Sequence, residues 1–175
     1  MKKPLIVAFA AMLAIGAAHA GGTHTGGHDN EAKTEGHGHD DMMAAGMPGK
    51  ASAASRTLEI TMLEKDDGSM VYEPAVLTVK KGETVRLKLT NKGESDHEFV
   101  MDEHMANMKH KEAMAKYPDM EHADPNAIRL ESGKSGEIIW TFSNTGKFEF
   151  ACLIPGHYEA GMRGDVTVED KTASN

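Results

Sequence analysis

From Arg56 onward, apolar and polar residues alternate with a period of two. Leu58, Ile60 and Met62 fall on one side of the chain, with Glu59 and Thr61 on the other. Leu77 and Val79 continue the pattern. Val85, Leu87 and Leu89 then face one way while Arg86 and Lys88 face the other. His97, Phe99 and Met101 share a side, as do Ile138, Trp140 and Phe142, then Phe148, Phe150 and Cys152, and finally Val166 and Val168. Successive side chains of a strand point to opposite faces, so rows of this kind predict half-buried strands. Asp66-Asp67-Gly68, Lys81-Gly82 and Asn144-Thr145-Gly146 supply turns between them. Short strands and regular turns predict an all-β, antiparallel sandwich over residues 56–170. Roughly 115 residues is enough to close one core.

Two stretches depart from this rhythm. Residues 102–126 lose the alternation and are rich in Met, His, Lys and Glu. Asp102 to Lys116 reads as a helix with Asp102 as N-cap, ended by Pro118 and Asp124-Pro125. The segment is expected to be an insertion lying over one side of the sandwich. Residues 21–55 form the other departure. Positions 21–50 hold eight Gly, four His and three Met and almost no large apolar side chain. Such a stretch buries too little surface to offset the entropy of ordering it, so a disordered tail is expected there. Residues 171–175 are expected to be a short C-terminal tail.

The first 20 residues have a different character. Lys2 and Lys3 precede an apolar run from Leu5 to Ala18, and Ala18-His19-Ala20 ends in small residues. This is the pattern of a secretory signal cleaved after Ala20, and the run is short for a membrane span. A lipoprotein anchor would need a Cys just after that point, and the single Cys is Cys152. The expected location is therefore the periplasm, with no membrane insertion after cleavage. Without Lys2 and Lys3 the chain carries 19 − 2 = 17 basic against 27 acidic residues, a net charge of −10. Such a surface repels nucleic acid and anionic lipid and suits cations or basic protein partners.

A lone Cys in an exported chain has no partner for an internal disulfide. Cys152 is then either an inert core thiol or a metal ligand. Its neighbours bear on the choice. Cys152 to Gly164 reads CLIPGHYEAGMRG, a C-x4-H-x4-M spacing. A strand brings Cys152 inward, a tight loop through Pro155-Gly156 returns His157, and Gly161 lets Met162 approach. His97, on an inward strand face, is the candidate second imidazole. Thiolate and thioether are soft donors that suit Cu(I), and imidazole suits both Cu(I) and Cu(II). A His2Cys site with a long axial Met therefore serves both oxidation states. Zinc more often recruits further Cys or His into a closed tetrahedron.

At these residues the chain resembles the cupredoxins, the family of plastocyanin, azurin and auracyanin. The likeness covers residues 56–170 and includes YEPAVLTVKKGETVRLKLTN, similar to the family's second and third strands. It implies a Greek-key β-sandwich and one type 1 (blue) copper centre held by His97, Cys152, His157 and Met162. Plastocyanin and azurin follow the first His ligand with Asn, whereas Glu98 stands there in this chain. The hydrogen bonding to the sulfur, and the reduction potential it tunes, are left open by that departure.

A second candidate copper set lies in the insertion: Met101, His104, Met105, Met108, His110, Met114, Met120 and His122. On a helix, Met101, Met105 and Met108 share a side, and His104/Met108 and His110/Met114 are i, i+4 pairs. Thioether and imidazole at that spacing suit Cu(I). The other reading is a Met-lined helix packed on the sandwich. The tail's His24, His28, His37, His39, Met42, Met43 and Met47 divide similarly between weak copper scavenging and a solvated linker. The chain is most similar to His- and Met-rich cupredoxins of bacterial copper-resistance systems. That implies copper tolerance, with copper ions and a periplasmic redox or copper-handling protein as partners. The competing role is a soluble one-electron carrier that docks through the edge of His157. Copper oxidases and nitrite reductases resemble multiplied cupredoxin domains, and this chain has room for one, so no enzymatic turnover is expected.

Overall fold

The computed structural model describes residues 43–117 and 124–171. The expected signal segment, the tail as far as residue 42, and the members Met120 and His122 of the second copper set lie outside these residues.

Among the described residues, ten strands form two five-stranded sheets. The first sheet has the order β1-β8-β5-β2-β3, built from β1 (Gly46–Pro48), β8 (Ser135–Phe142), β5 (Thr84–Asn91), β2 (Arg56–Glu64) and β3 (Met70–Glu73). The second has the order β4-β10-β9-β6-β7, built from β4 (Val76–Lys80), β10 (Arg163–Glu169), β9 (Gly146–Ala151), β6 (His97–Asp102) and β7 (Ala127–Leu130). The alternating rows do what their period requires. Ile60, Met62, Leu87, Leu89, Trp140, Phe142, Phe150, Cys152 and Val166 all enter one buried core between the sheets. Two pairings differ from the expected antiparallel pattern, because β2 runs parallel to β5 and β4 parallel to β10. Alternation determines which face a residue takes but says nothing about strand direction.

Order begins earlier than Arg56, which corrects the boundary of the expected disordered tail. Residues Gly46–Pro48 pair with Phe142, Thr141 and Trp140, and Ala45 is buried in the core. The reason is local. Gly46 has φ +144, and a Cβ there would lie 2.0 Å from the Thr141 carbonyl oxygen. Only glycine brings this edge so close to β8. A composition poor in large apolar residues hid a segment docked mainly through its backbone.

The insertion is helical, with corrected limits. α1 spans His104–Lys116. Asp102 closes β6 and is not the N-cap, which is Glu103. α1 lies against β6 and β9. Beneath it Val100, Met114, Ala151, Leu153 and Tyr158 form a second buried cluster, with Met108 packed against it. Strands β6 and β9 are thus covered on both faces. Among the described residues no helix is long and apolar enough to cross a membrane.

Candidate metal centre

Three segments converge at one end of the sandwich. His97 opens β6, Cys152 directly follows β9, and Met162 directly precedes β10. Between Cys152 and Met162 the chain closes on itself. The Cys152 N–H donates to the Met162 carbonyl (3.0 Å), the Met162 N–H to the His157 carbonyl (3.0 Å), and the His157 N–H to the Ile154 carbonyl (3.0 Å). One short loop therefore holds all three of its candidate ligands in fixed order. Gly161 has φ +101, and a Cβ there would meet only the Met70 carbonyl, at an ordinary 3.5 Å. Its role is the left-handed turn rather than the close approach of Met162 that the spacing suggested.

The donor atoms meet. His97 Nδ1 lies 3.2 Å from His157 Nδ1, and His157 Nδ1 lies 3.4 Å from Cys152 Sγ. One ligand atom from each of the three residues lies within 4.8 Å of the others. His97, Cys152 and Met162 are fully buried, whereas His157 is partly exposed. The backbone N–H of Glu98 donates to Cys152 Sγ at 3.3 Å. This answers the question raised by Glu98: the bond to sulfur comes from its main chain, and its side chain is buried.

The electrostatics suit an ion. Burial pushes the Cys152 thiol up to about 12, against the opposing pull of the Glu98 and Ile154 backbone. Burial also lowers both His97 and His157, and His97 lowers His157 further, while Glu64 pulls both upward. Neutral imidazoles keep a ring nitrogen free to donate, and a bound cation is what converts such a thiol to thiolate. Two nitrogens and a sulfur this close together fit a copper ion, and buried Met162 is tied to Cys152 and His157 through its backbone.

The site's frame uses residues that the alternation passed over. Asn91 is fully buried. Its Nδ2 donates to the Ser95 and Leu130 carbonyls (2.8 and 2.9 Å), and its Oδ1 accepts from the Gly93 N–H (2.9 Å). It shapes the crossing that delivers His97 from one sheet to the other. Glu64 accepts from the Glu94 and Ser95 N–H groups (2.9 and 3.0 Å), and its Oε1 is 3.2 Å from His97 Nε2. A signal for both was present. Asn91 continues the row Val85, Leu87, Leu89, and Glu64 continues Leu58, Ile60, Met62. A polar residue at an inward position calls for a buried partner.

A family model described as copper binding proteins, plastocyanin/azurin family, matches residues 59–169. The chain belongs to that family. It is a cupredoxin, and copper is its cofactor. A copper-resistant cuproprotein, CopI, from Rubrivivax gelatinosus is 44% identical, covering 95% of this chain and 96% of the relative. A protein of the same name from Pseudomonas aeruginosa is 38% identical, covering 72% of this chain and 83% of its own length. Among solved structures, dithionite-reduced auracyanin from Roseiflexus castenholzii superposes with a TM-score of 0.56. It is 29% identical, with 66% of this chain and 98% of that one covered. Both curated relatives are named as cuproproteins.

The second candidate set does not assemble as a helical stripe in this cupredoxin. Met101 lies on β6, fully buried between the sheets, so the i, i+4, i+7 row with Met105 and Met108 is broken at its first member. Met114 and Met108 pack beneath α1. His104 Nδ1 is 3.0 Å from Glu149 Oε2, and His110 is half-buried. His104 and Met105 are the exposed members of the set among the described residues.

Proposed function

We propose that this cupredoxin is a periplasmic copper-tolerance protein with a redox-active type 1 centre held by His97, Cys152, His157 and Met162. The observation that carries the reading is the convergence of two imidazole nitrogens and one buried thiol within 4.8 Å, in a chain whose family binds copper. Copper supplies a one-electron couple when bound. The chain supplies a rigid pocket: a self-bonded ligand loop, an N–H aimed at the sulfur, and walls that exclude water from His97, Cys152 and Met162. A preset geometry of this kind changes little between oxidation states, so electron exchange meets little reorganisation. The resemblance to copper-resistant cuproproteins over nearly the whole chain supports tolerance as the role. Electron carriage is the second reading, and one observation favours it: His157 is the partly exposed member of the metal-ligating trio. No turnover chemistry beyond electron transfer is assigned.

Two measurements test the proposal. Cys152→Ser should abolish the intense visible absorption of the copper-loaded protein, and colour retained in that variant would refute the site. Deleting the gene should make cells copper-sensitive. Normal growth in copper combined with impaired respiration would assign the carrier role instead.

A further inference from the structure

Glu64 is the residue that the copper reading leaves without a task. Its carboxylate ends β2 at the rim of the site and is 23% exposed. Its Oε1 and Oε2 accept the Ser95 and Glu94 N–H groups (3.0 and 2.9 Å), bonds that favour the charged carboxylate over the neutral acid. The Nε2 atom of His97 is buried and makes no well-directed hydrogen bond, and Glu64 Oε1 lies 3.2 Å from it. Gly93 makes this approach feasible. A Cβ at that position would lie 2.1 Å from Glu64 Oε2 and 2.7 Å from His97 Nε2. Backbone N–H groups, a glycine and a charged side chain thus combine to hold a carboxylate against the back of one imidazole.

We propose that Glu64 is a positioning residue: it holds His97 as the Nε2–H tautomer, turns Nδ1 toward the metal, and biases the centre toward Cu(II). The inference rests on His97 being a copper ligand. A neutral imidazole carries one N–H. With the proton on Nδ1, the Nε2 lone pair would face a carboxylate, while the N–H would occupy the space shared with His157 Nδ1 and Cys152 Sγ. With the proton on Nε2, the positive end of the N–H lies beside the anion, whose Oε1 is 3.2 Å from Nε2, and Nδ1 is free to donate. A carboxylate behind a ligating imidazole also raises the ring's donor strength and places negative charge near the ion. Both effects favour the more highly charged oxidation state. Loss of such a partner typically changes metal affinity 10–100-fold, and partial exposure places Glu64 at the lower end of that range, about tenfold.

The test uses the full-length protein loaded with copper. Glu64→Gln keeps an acceptor near Nε2 and removes the charge. It should leave the blue band in place, lower the Cu(II)-to-Cu(I) affinity ratio about tenfold, and so raise the one-electron reduction potential by about 59 mV. In the metal-free protein, 15N NMR of the His97 ring should show the Nε2–H tautomer in the wild type and in Glu64→Gln. In Glu64→Ala the Nδ1–H form should appear. An intact blue band with an unmoved potential in Glu64→Gln would overturn the inference alone, as would an Nδ1–H ring in the wild type. Absence of the band from the wild-type protein would overturn the ligand reading and this inference with it.

Discussion

The carboxylate of Glu149 should be worth about 3 kcal/mol to the folded protein, because it ties α1 to the ligand loop. Glu149 lies on β9, facing away from the main core, and its side chain is 12% exposed. Its Oε2 accepts the Tyr158 hydroxyl (3.0 Å) and lies 3.0 Å from His104 Nδ1, while Oε1 accepts from Asn107 Nδ2 (3.2 Å). Asn107 is fully buried on α1, and Tyr158 directly follows His157. Replacing Glu149 by Ala leaves the Tyr158 hydroxyl without its acceptor, and leaves Asn107 Nδ2 only the longer contact to the Glu149 carbonyl (3.4 Å). Hydrogen bonds to charged groups contribute about 1.5–3 kcal/mol each. His104 is 58% exposed, so its contact is screened and adds at most about 1 kcal/mol. The three share one carboxylate and are not additive, which brings the total to about 3 kcal/mol. Urea unfolding of metal-free Glu149→Ala, Tyr158→Phe and the double variant measures the total and the coupling, the latter expected at about 1 kcal/mol. Amide exchange should show α1 losing protection before the sheets do. A loss below about 1 kcal/mol with α1 protection unchanged would refute the reasoning, and would mean that the packing of Met114 and Met108 and the contacts of Lys111 with Glu159 and Tyr158 dock the helix.

Two further outcomes are expected. Met101→Ala should destabilise by about 2–5 kcal/mol, the cost of a cavity in a packed core, whereas exposed Met105→Ala should change stability by less than about 0.5 kcal/mol; similar costs in thermal unfolding would show that the two share an environment after all. Burial alone would raise the pKa of Glu83, but its bonds from Arg56, the Lys80 N–H and Ser55 hold it below the usual carboxylate range. Its stabilisation is therefore complete above the unfolded carboxylate value and disappears as pH falls through the lower folded value. Glu83→Gln should cost about 1 kcal/mol at pH 7, with the gap to wild type closing below about pH 4; a gap constant down to pH 2 would contradict this.

The local chemistry of the centre was legible because it is local. Cys152, His157 and Met162 fall on one short loop, and their spacing is readable in a single line of sequence. The inward rows were legible because a strand's period of two commits each residue to a face whatever lies opposite. The same period is silent about partners. Nothing in Leu58, Ile60 and Met62 states that β2 lies parallel to β5. Nor does glycine-rich composition reveal that Gly46–Pro48 will pair with β8.

The helical reading of Met101 failed for a related reason. Its i, i+4 spacing to Met105 exists in the sequence, but the strand ends one residue later, at Asp102, so the two side chains belong to different elements. By itself the sequence singled out His97, Cys152 and His157, whose donor atoms the fold brings together, and the faces on which the apolar side chains lie. Tertiary structure alone decided what stands behind those side chains: the Glu98 N–H on sulfur, Asn91 in the crossing, and Glu64 against His97. These contacts join residues from about thirty to about fifty-five positions apart, and such distances close only when two sheets stack and bury the polar ends of their inward rows together.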